Sequence, residues 1–110
     1  MVRQWTSFDK NVTDKEFLSL PLDDRIRLFG AMKLYASDAG IGYVVKNYGD
    51  GLMMIKPKDT QGRCLFFTVA ETSEKQTLVA LLAYKKEGQK LPERLRKLAS
   101  DRMERFKESQ

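Results

Sequence analysis

A chain of 110 residues with 42% hydrophobic and 32% charged side chains can bury one core without staples and is too apolar to be disordered. It holds no histidine and one cysteine, Cys64, which excludes Ser-His-Asp and Cys-His catalysis, a His-ligated or thiolate metal site and an internal disulfide. The longest apolar run, Leu78–Tyr84, is seven residues, against the ~18 that a membrane-spanning helix needs.

The opening Met1-Val2-Arg3-Gln4-Trp5-Thr6 lacks the apolar core of a signal peptide. A single cytoplasmic domain over 1–110, with no membrane partner, is therefore expected. Within residues 2–8, Val2, Gln4 and Thr6 alternate with Arg3, Trp5 and Ser7, the pattern of an opening strand. Thr13-Asp14-Lys15-Glu16 has the spacing of a capping box and predicts a short helix through Leu20. Pro21 suits the first turn of a second helix, and Asp23 and Asp24 suit its positive end. Leu22, Ile26 and Phe29, with Leu28, Met32 and Tyr35 beside them, predict a broad buried stripe that ends before Gly40 and Gly42. Both helices read as structural.

Residues 43–48 predict an extended segment closed by Gly49-Asp50-Gly51. Over 52–58, alternation places Leu52, Met54, Lys56 and Lys58 on one face, and Pro57 marks an edge or an end because it cannot donate to a ladder. Asp59-Thr60-Gln61-Gly62 is a turn, which makes 52–70 a hairpin. After a second polar turn, Glu71–Gln76, the run 77–84 is apolar on both faces, as a covered central strand would be. Leu91-Pro92-Glu93 opens a last helix with Leu95, Leu98, Ala99, Met103 and Phe106 along one stripe and Arg94, Arg96, Lys97 and Arg105 elsewhere.

Charge is uneven. Of a net +5, residues 84–110 carry +4, from nine Lys/Arg and five Asp/Glu. Such a basic segment suits an acidic partner, nucleic acid first, or else a solvated helix face. Three apolar strands side by side would also gather Lys56, Lys58, Arg63, Lys85 and Lys86 at one rim of a sheet, with Tyr84 among them. RNA cleavage by its own 2′-hydroxyl needs a base, charges to meet the phosphate and an acid for the leaving oxygen. Without histidine, a lysine depressed by neighbouring cations can act as base, Arg63 can clamp phosphate with its fork, and Tyr84 can stack on a base or handle a proton. The structural alternative is that these cations only protect a β edge from pairing with another chain. No P-loop or Gly-x-Gly-x-x-Gly is present, and no carboxylates pair as an acid/base couple.

The order of these residues resembles a known family. Gly51-Leu52-x-x-Ile55-Lys56, then Arg63 before Cys64-Leu65-Phe66-Phe67, is similar to the core of HigB/RelE-type toxins of type II toxin–antitoxin systems. Ala83-Tyr84-Lys85-Lys86-Glu87-Gly88-Gln89-Lys90-Leu91-Pro92 resembles that family's lysine-pair segment, and Ala99-x-x-Arg102 its following helix. The likeness is to the phage-derived HigB-like branch and covers about residues 43–105. It implies an α+β fold, a small twisted and mainly antiparallel sheet with two N-terminal helices and a basic C-terminal helix.

The resemblance further implies ribosome-dependent cleavage of mRNA, without metal or other cofactor, by Lys56, Arg63, Tyr84, Lys85 and Lys86, with Lys58, Lys90, Arg94 and Arg102 binding RNA. It implies neutralisation by a cognate antitoxin, a HigA-like helix-turn-helix protein, and operator DNA contact only through the toxin–antitoxin complex. Lys56 departs from the commoner arginine, Pro57 is unusual, and Tyr84 replaces the commoner phenylalanine; a lysine offers a point charge where arginine offers a fork. Two other classes compete: a ParE-like gyrase poison, distinguished by DNA damage without mRNA loss, and a non-catalytic basic RNA- or DNA-binding module, distinguished by salt-sensitive binding without cleavage.

Overall fold

The computed structural model describes residues 2–70 and 72–109. Along the chain run β1 (Val2–Ser7), α1 (Lys10–Ser19), α2 (Leu22–Ala36), β2 (Val44–Gly49), β3 (Leu52–Lys56), β4 (Gly62–Ala70), β5 (Lys75–Lys85) and α3 (Glu93–Glu108). The strands form one sheet in the order β1-β5-β4-β3-β2. β2, β3, β4 and β5 pair antiparallel with their neighbours, whereas β1 lies parallel to β5, Val2 opposite Lys75 and Ser7 opposite Ala80. The architecture is α+β with a mixed sheet, and no helix among the described residues is long and apolar enough to cross a membrane. Of the polar turn expected at Glu71–Gln76, Glu71 lies outside the described residues, and β5 already begins at Lys75.

Side-chain alternation divides the core between the two faces of the sheet. Ile55, Cys64, Phe66, Leu78, Ala80 and Ala83 pack with Phe17, Leu20, Leu28, Ala31 and Met32 of the first two helices. Leu52, Met54, Leu65, Phe67, Val79, Leu81 and Leu82 pack with Leu95, Ala99 and Met103 of α3. β5 feeds both layers, which explains a run that is apolar at every position. Its alternation is interrupted once: Leu65 faces Leu82 but Phe66 faces Ala80, so Leu81 is the extra residue of a bulge. Both Leu81 and Leu82 therefore join the layer under α3, and every residue beyond is switched to the opposite face from the one simple alternation would assign.

Two helix expectations are corrected. α1 starts a turn before the predicted capping box, with Asp9 as its cap and the Asp9 carboxylate accepting from Asn11 N–H at 3.0 Å. Thr13 is then inside the helix, fully buried, its hydroxyl donating to the Asp9 carbonyl at 2.8 Å, and Glu16 is free to leave the helix surface for other partners. In α2 the buried side is Leu28, Ala31 and Met32, flanked by Tyr35. Leu22, Ile26 and Phe29, expected in the core, are 61%, 58% and 45% exposed. With Leu18 of α1 they form an apolar stripe on the outer surface. The periodicity of α2 supports either side, because apolar residues occupy both; packing on β3 and β4 buries only one.

Tertiary hydrogen bonds position the sheet edge. Trp5 Nε1 donates to the Met32 carbonyl at 2.8 Å, and its ring meets Phe66 edge-on at 5.1 Å. Gly62, where β4 begins, passes so near α2 that a Cβ there would stand 3.2 Å from the Asp24 carbonyl oxygen. At the β2–β3 hairpin, Gly49, Asp50 and Gly51 all have positive φ, at 89°, 55° and 87°. Glycine and the αL-tolerant Asp are the residues that such a turn accepts.

Candidate functional site

A polar cleft of about 120 Å³ opens on the α3 side of the sheet, at the end where β3 finishes and β4 begins. Its floor follows from strand register. Lys46 lies opposite Met54 on β2 and β3, Lys56 follows Met54 on the same face, and Arg63 lies opposite Tyr84 on β4 and β5. The Lys86–Pro92 segment forms the wall, with Lys86, Glu87, Gln89 and Lys90 lining it before Pro92 caps α3. Gly88 within this segment has φ 124°, a conformation that favours glycine. The exposed Glu87 carboxylate pairs with Arg94 of α3 at 2.5 Å, which ties the wall to the helix.

The electrostatics of the floor are those of cations held close together. Lys56 is pushed below the ordinary lysine range, first by partial burial and then by Arg63, Lys46 and Lys86. Arg63 is 6% exposed. Burial lowers its pKa too, against the opposing pull of Tyr84, Tyr48 and Asp24, but a guanidinium keeps its proton in any protein. Its Nη1 donates to the carbonyls of Thr60 at 2.6 Å and Gly62 at 3.0 Å. Arg63 therefore presents one fixed edge to the cleft, rather than the free two-pronged clamp expected from sequence. The Tyr84 phenol is pushed up, chiefly by burial and next by Tyr48, with Arg63 opposing. It remains a protonated donor at any physiological pH.

Of the residues expected to be catalytic, Lys56, Arg63, Tyr84 and Lys86 converge on the cleft. Lys85 does not line it. The bulge at Leu81 is the cause: it turns Leu82 and Tyr84 toward α3, leaving Ala83 in the layer under α1 and α2 and Lys85 exposed at the strand end. Of the residues expected to bind RNA, Lys90 lines the cleft and Arg94 stands behind its wall. Lys58 lies apart from both, in a groove shared with Arg27, Ala31 and Leu34 of α2. β3 ends at Lys56, and Pro57 breaks the alternation that would have carried Lys58 to the same face.

Arg102 is placed farthest from its expected role. Its buried Nη1 donates to both carboxylate oxygens of Glu16, at 2.9 and 2.8 Å, and to the Leu81 carbonyl at 2.8 Å. Glu16 in turn accepts from Ala83 N–H at 3.3 Å. β1 ends at Ser7, opposite Ala80, so beyond that point one edge of β5 has no strand partner among the described residues. The ion pair supplies the missing acceptor and donor. Arg102 is a structural residue.

Lys46, Tyr48, Glu87 and Gln89 line the cleft without having been singled out from sequence. A period-two reading of Val44, Lys46 and Tyr48 across the glycine turn from Met54 and Lys56 carries the signal for the first two. Glu87 and Gln89 carry none, since loop residues have no periodicity. The described residues include no group of three His, Cys, Asp or Glu placed to share a metal ion. No protein-family model and no curated protein matches the chain at a significant level.

Proposed function

We propose that the cleft binds and cuts RNA, and that the protein is a type II toxin that cleaves mRNA on the ribosome. The observation that carries this reading is the convergence of Lys56, Arg63, Lys86 and Tyr84 in one polar cleft from three strands and a loop, in the order that resembles HigB/RelE-type toxins. Cations crowded in one place repel each other and destabilise the fold, an arrangement that suits a site built to receive an anion. The neutral form of Lys56 removes the 2′-hydroxyl proton, and the resulting alkoxide attacks the adjacent phosphorus. Arg63 and Lys86 meet the charge gathering on the phosphate oxygens, and the Tyr84 phenol donates toward the leaving 5′-oxygen. The products are a 2′,3′-cyclic phosphate and a free 5′-hydroxyl, with no external reactant. Neutralisation by a helix-turn-helix antitoxin and residence in the cytoplasm belong to the same reading and rest on the resemblance.

The test is induction of the gene in a bacterium with primer extension on a well-translated mRNA, for the unaltered chain and for Arg63→Ala with Lys86→Ala. Discrete cuts within translated codons that vanish in the double variant support the reading. Growth arrest with intact mRNA and damaged DNA overturns it in favour of a gyrase poison. Salt-sensitive RNA binding without cleavage favours a non-catalytic module; the exposed Arg96 and Lys97 of α3 are the feature that such a module would use.

A further inference from the structure

The cleft does not end at Lys90. A second polar hollow of about 380 Å³ adjoins it, sharing Lys46, Tyr48, Gln89, Lys90 and Leu91 and adding Glu93 and Arg96 of α3. Two elements far apart in sequence meet there through a definite contact. Arg96 Nη2 donates to the Tyr48 carbonyl at 2.7 Å, and its guanidinium carbon stands 5.9 Å from the centre of the Tyr48 ring. Arg96 is thus held in the wall of the hollow beside an aromatic ring, while Lys46 and Lys90 line both lobes.

We propose that Lys46, Tyr48, Lys90 and Arg96 form a second subsite, which takes the nucleotide next to the phosphate bound in the first lobe. This rests on the nuclease reading of the first lobe and extends it: the occupant is single-stranded RNA with at least two consecutive phosphates. Such strands are held by cations that follow the backbone and by flat side chains on which bases stack, and the second lobe offers both. The Tyr48–Arg96 pair receives the base, and Lys46 and Lys90 hold the phosphate between the lobes. Double-stranded RNA, whose bases are stacked on one another, has no free face to offer the pair. Glu93 lines this second hollow and not the first, and its carboxylate disfavours a further phosphate there. The subsite is accordingly one nucleotide deep.

Binding of short single-stranded RNAs with 2′-O-methyl riboses, which cannot be cut, tests this by fluorescence anisotropy. The dinucleotide carries one internal phosphate and the trinucleotide two. For the unaltered protein the trinucleotide binds about tenfold or more tightly, the return from one stacked base. Its salt slope is steeper by about 0.7, the value for one further phosphate neutralised on a single strand. In Arg96→Gln and in Tyr48→Leu this length advantage falls toward unity, whereas Tyr48→Phe, which keeps the ring, and Lys97→Gln, which alters a cation on the same helix outside the hollow, retain it. A length advantage that survives both Arg96→Gln and Tyr48→Leu overturns the subsite. If the dinucleotide still binds in an Arg63-dependent manner, the nuclease reading stands without it. Failure of the unaltered protein to bind either oligonucleotide overturns the subsite, while cleavage on the ribosome is decided separately by the primer-extension assay.

Discussion

Replacing Arg102 by methionine should cost stability and spare the cleft. The side chains of Arg102 and Glu16 are 11% and 21% exposed, and between them they answer the Leu81 carbonyl and the Ala83 N–H on the open edge of β5. Methionine keeps much of the packing volume but leaves the Glu16 carboxylate without its cation and the Leu81 carbonyl without its donor. Breaking a buried ion pair from one side costs about 3–5 kcal/mol. Glu16 keeps some contact with water, so the lower end applies, about 3 kcal/mol. For a domain of this size that is a fall of about 12 °C in Tm. Thermal and urea unfolding followed by circular dichroism measure it, with Glu16→Leu and the double variant completing a cycle. The double variant recovers only part of the loss, because the two backbone groups of β5 stay unmatched. A loss under about 0.5 kcal/mol for Arg102→Met, or full recovery in the double variant, refutes the edge-sealing role. RNA binding by the folded variant, measured below its lowered Tm, remains at the level of the unaltered protein.

Cleavage by the nuclease reading falls by about 10²–10³ in Arg63→Ala, the usual return from one fixed donor at a developing charge; a fall under threefold in single-turnover assays removes Arg63 from the site. The reaction rate rises with pH as Lys56 loses its proton and levels off below the pH at which a free lysine would, because the folded-state pKa is lowered. Lys56→Arg abolishes that limb of the profile, and a limb that persists assigns the base elsewhere. The same shift sets a sign for stability: between the folded and unfolded pKa values of Lys56 the unfolded chain binds more protons, so its contribution to stability rises with pH across that window. Cys64, fully buried with its thiol pushed far up by burial, is inert to thiol reagents until the protein unfolds, which labelling across a urea series reads directly. Ile26→Lys, on the exposed side of α2, changes unfolding free energy by less than about 0.5 kcal/mol, in contrast to the buried Leu28→Ala at about 2–5 kcal/mol.

Sequence alone determined the elements whose pattern is local. Alternation over 52–58 with the polar turn Asp59–Gly62 predicts a hairpin over 52–70, the apolar run Leu78–Tyr84 predicts a strand covered on both faces, and Pro92 with the Leu95, Ala99 and Met103 spacing predicts the last helix; the structure has strands at Leu52–Lys56, Gly62–Ala70 and Lys75–Lys85 and a helix at Glu93–Glu108. The grouping of Lys56, Arg63 and Lys86 near one end of those strands follows from the same pattern. Tertiary structure decided what depends on which neighbour a side chain meets. Apolar residues on both sides of α2 leave its orientation open until β3 and β4 offer a seat, and only then are Leu22, Ile26 and Phe29 left outside. The Leu81 bulge, which no local residue type demands, turns Tyr84 into the cleft and Lys85 out of it. Arg102 reads as one more surface cation until α1 brings Glu16 to the edge of β5 that β1 leaves bare. Periodicity records that a residue faces a core or faces away; which core, and which partner waits there, is settled by contacts between segments up to 86 residues apart.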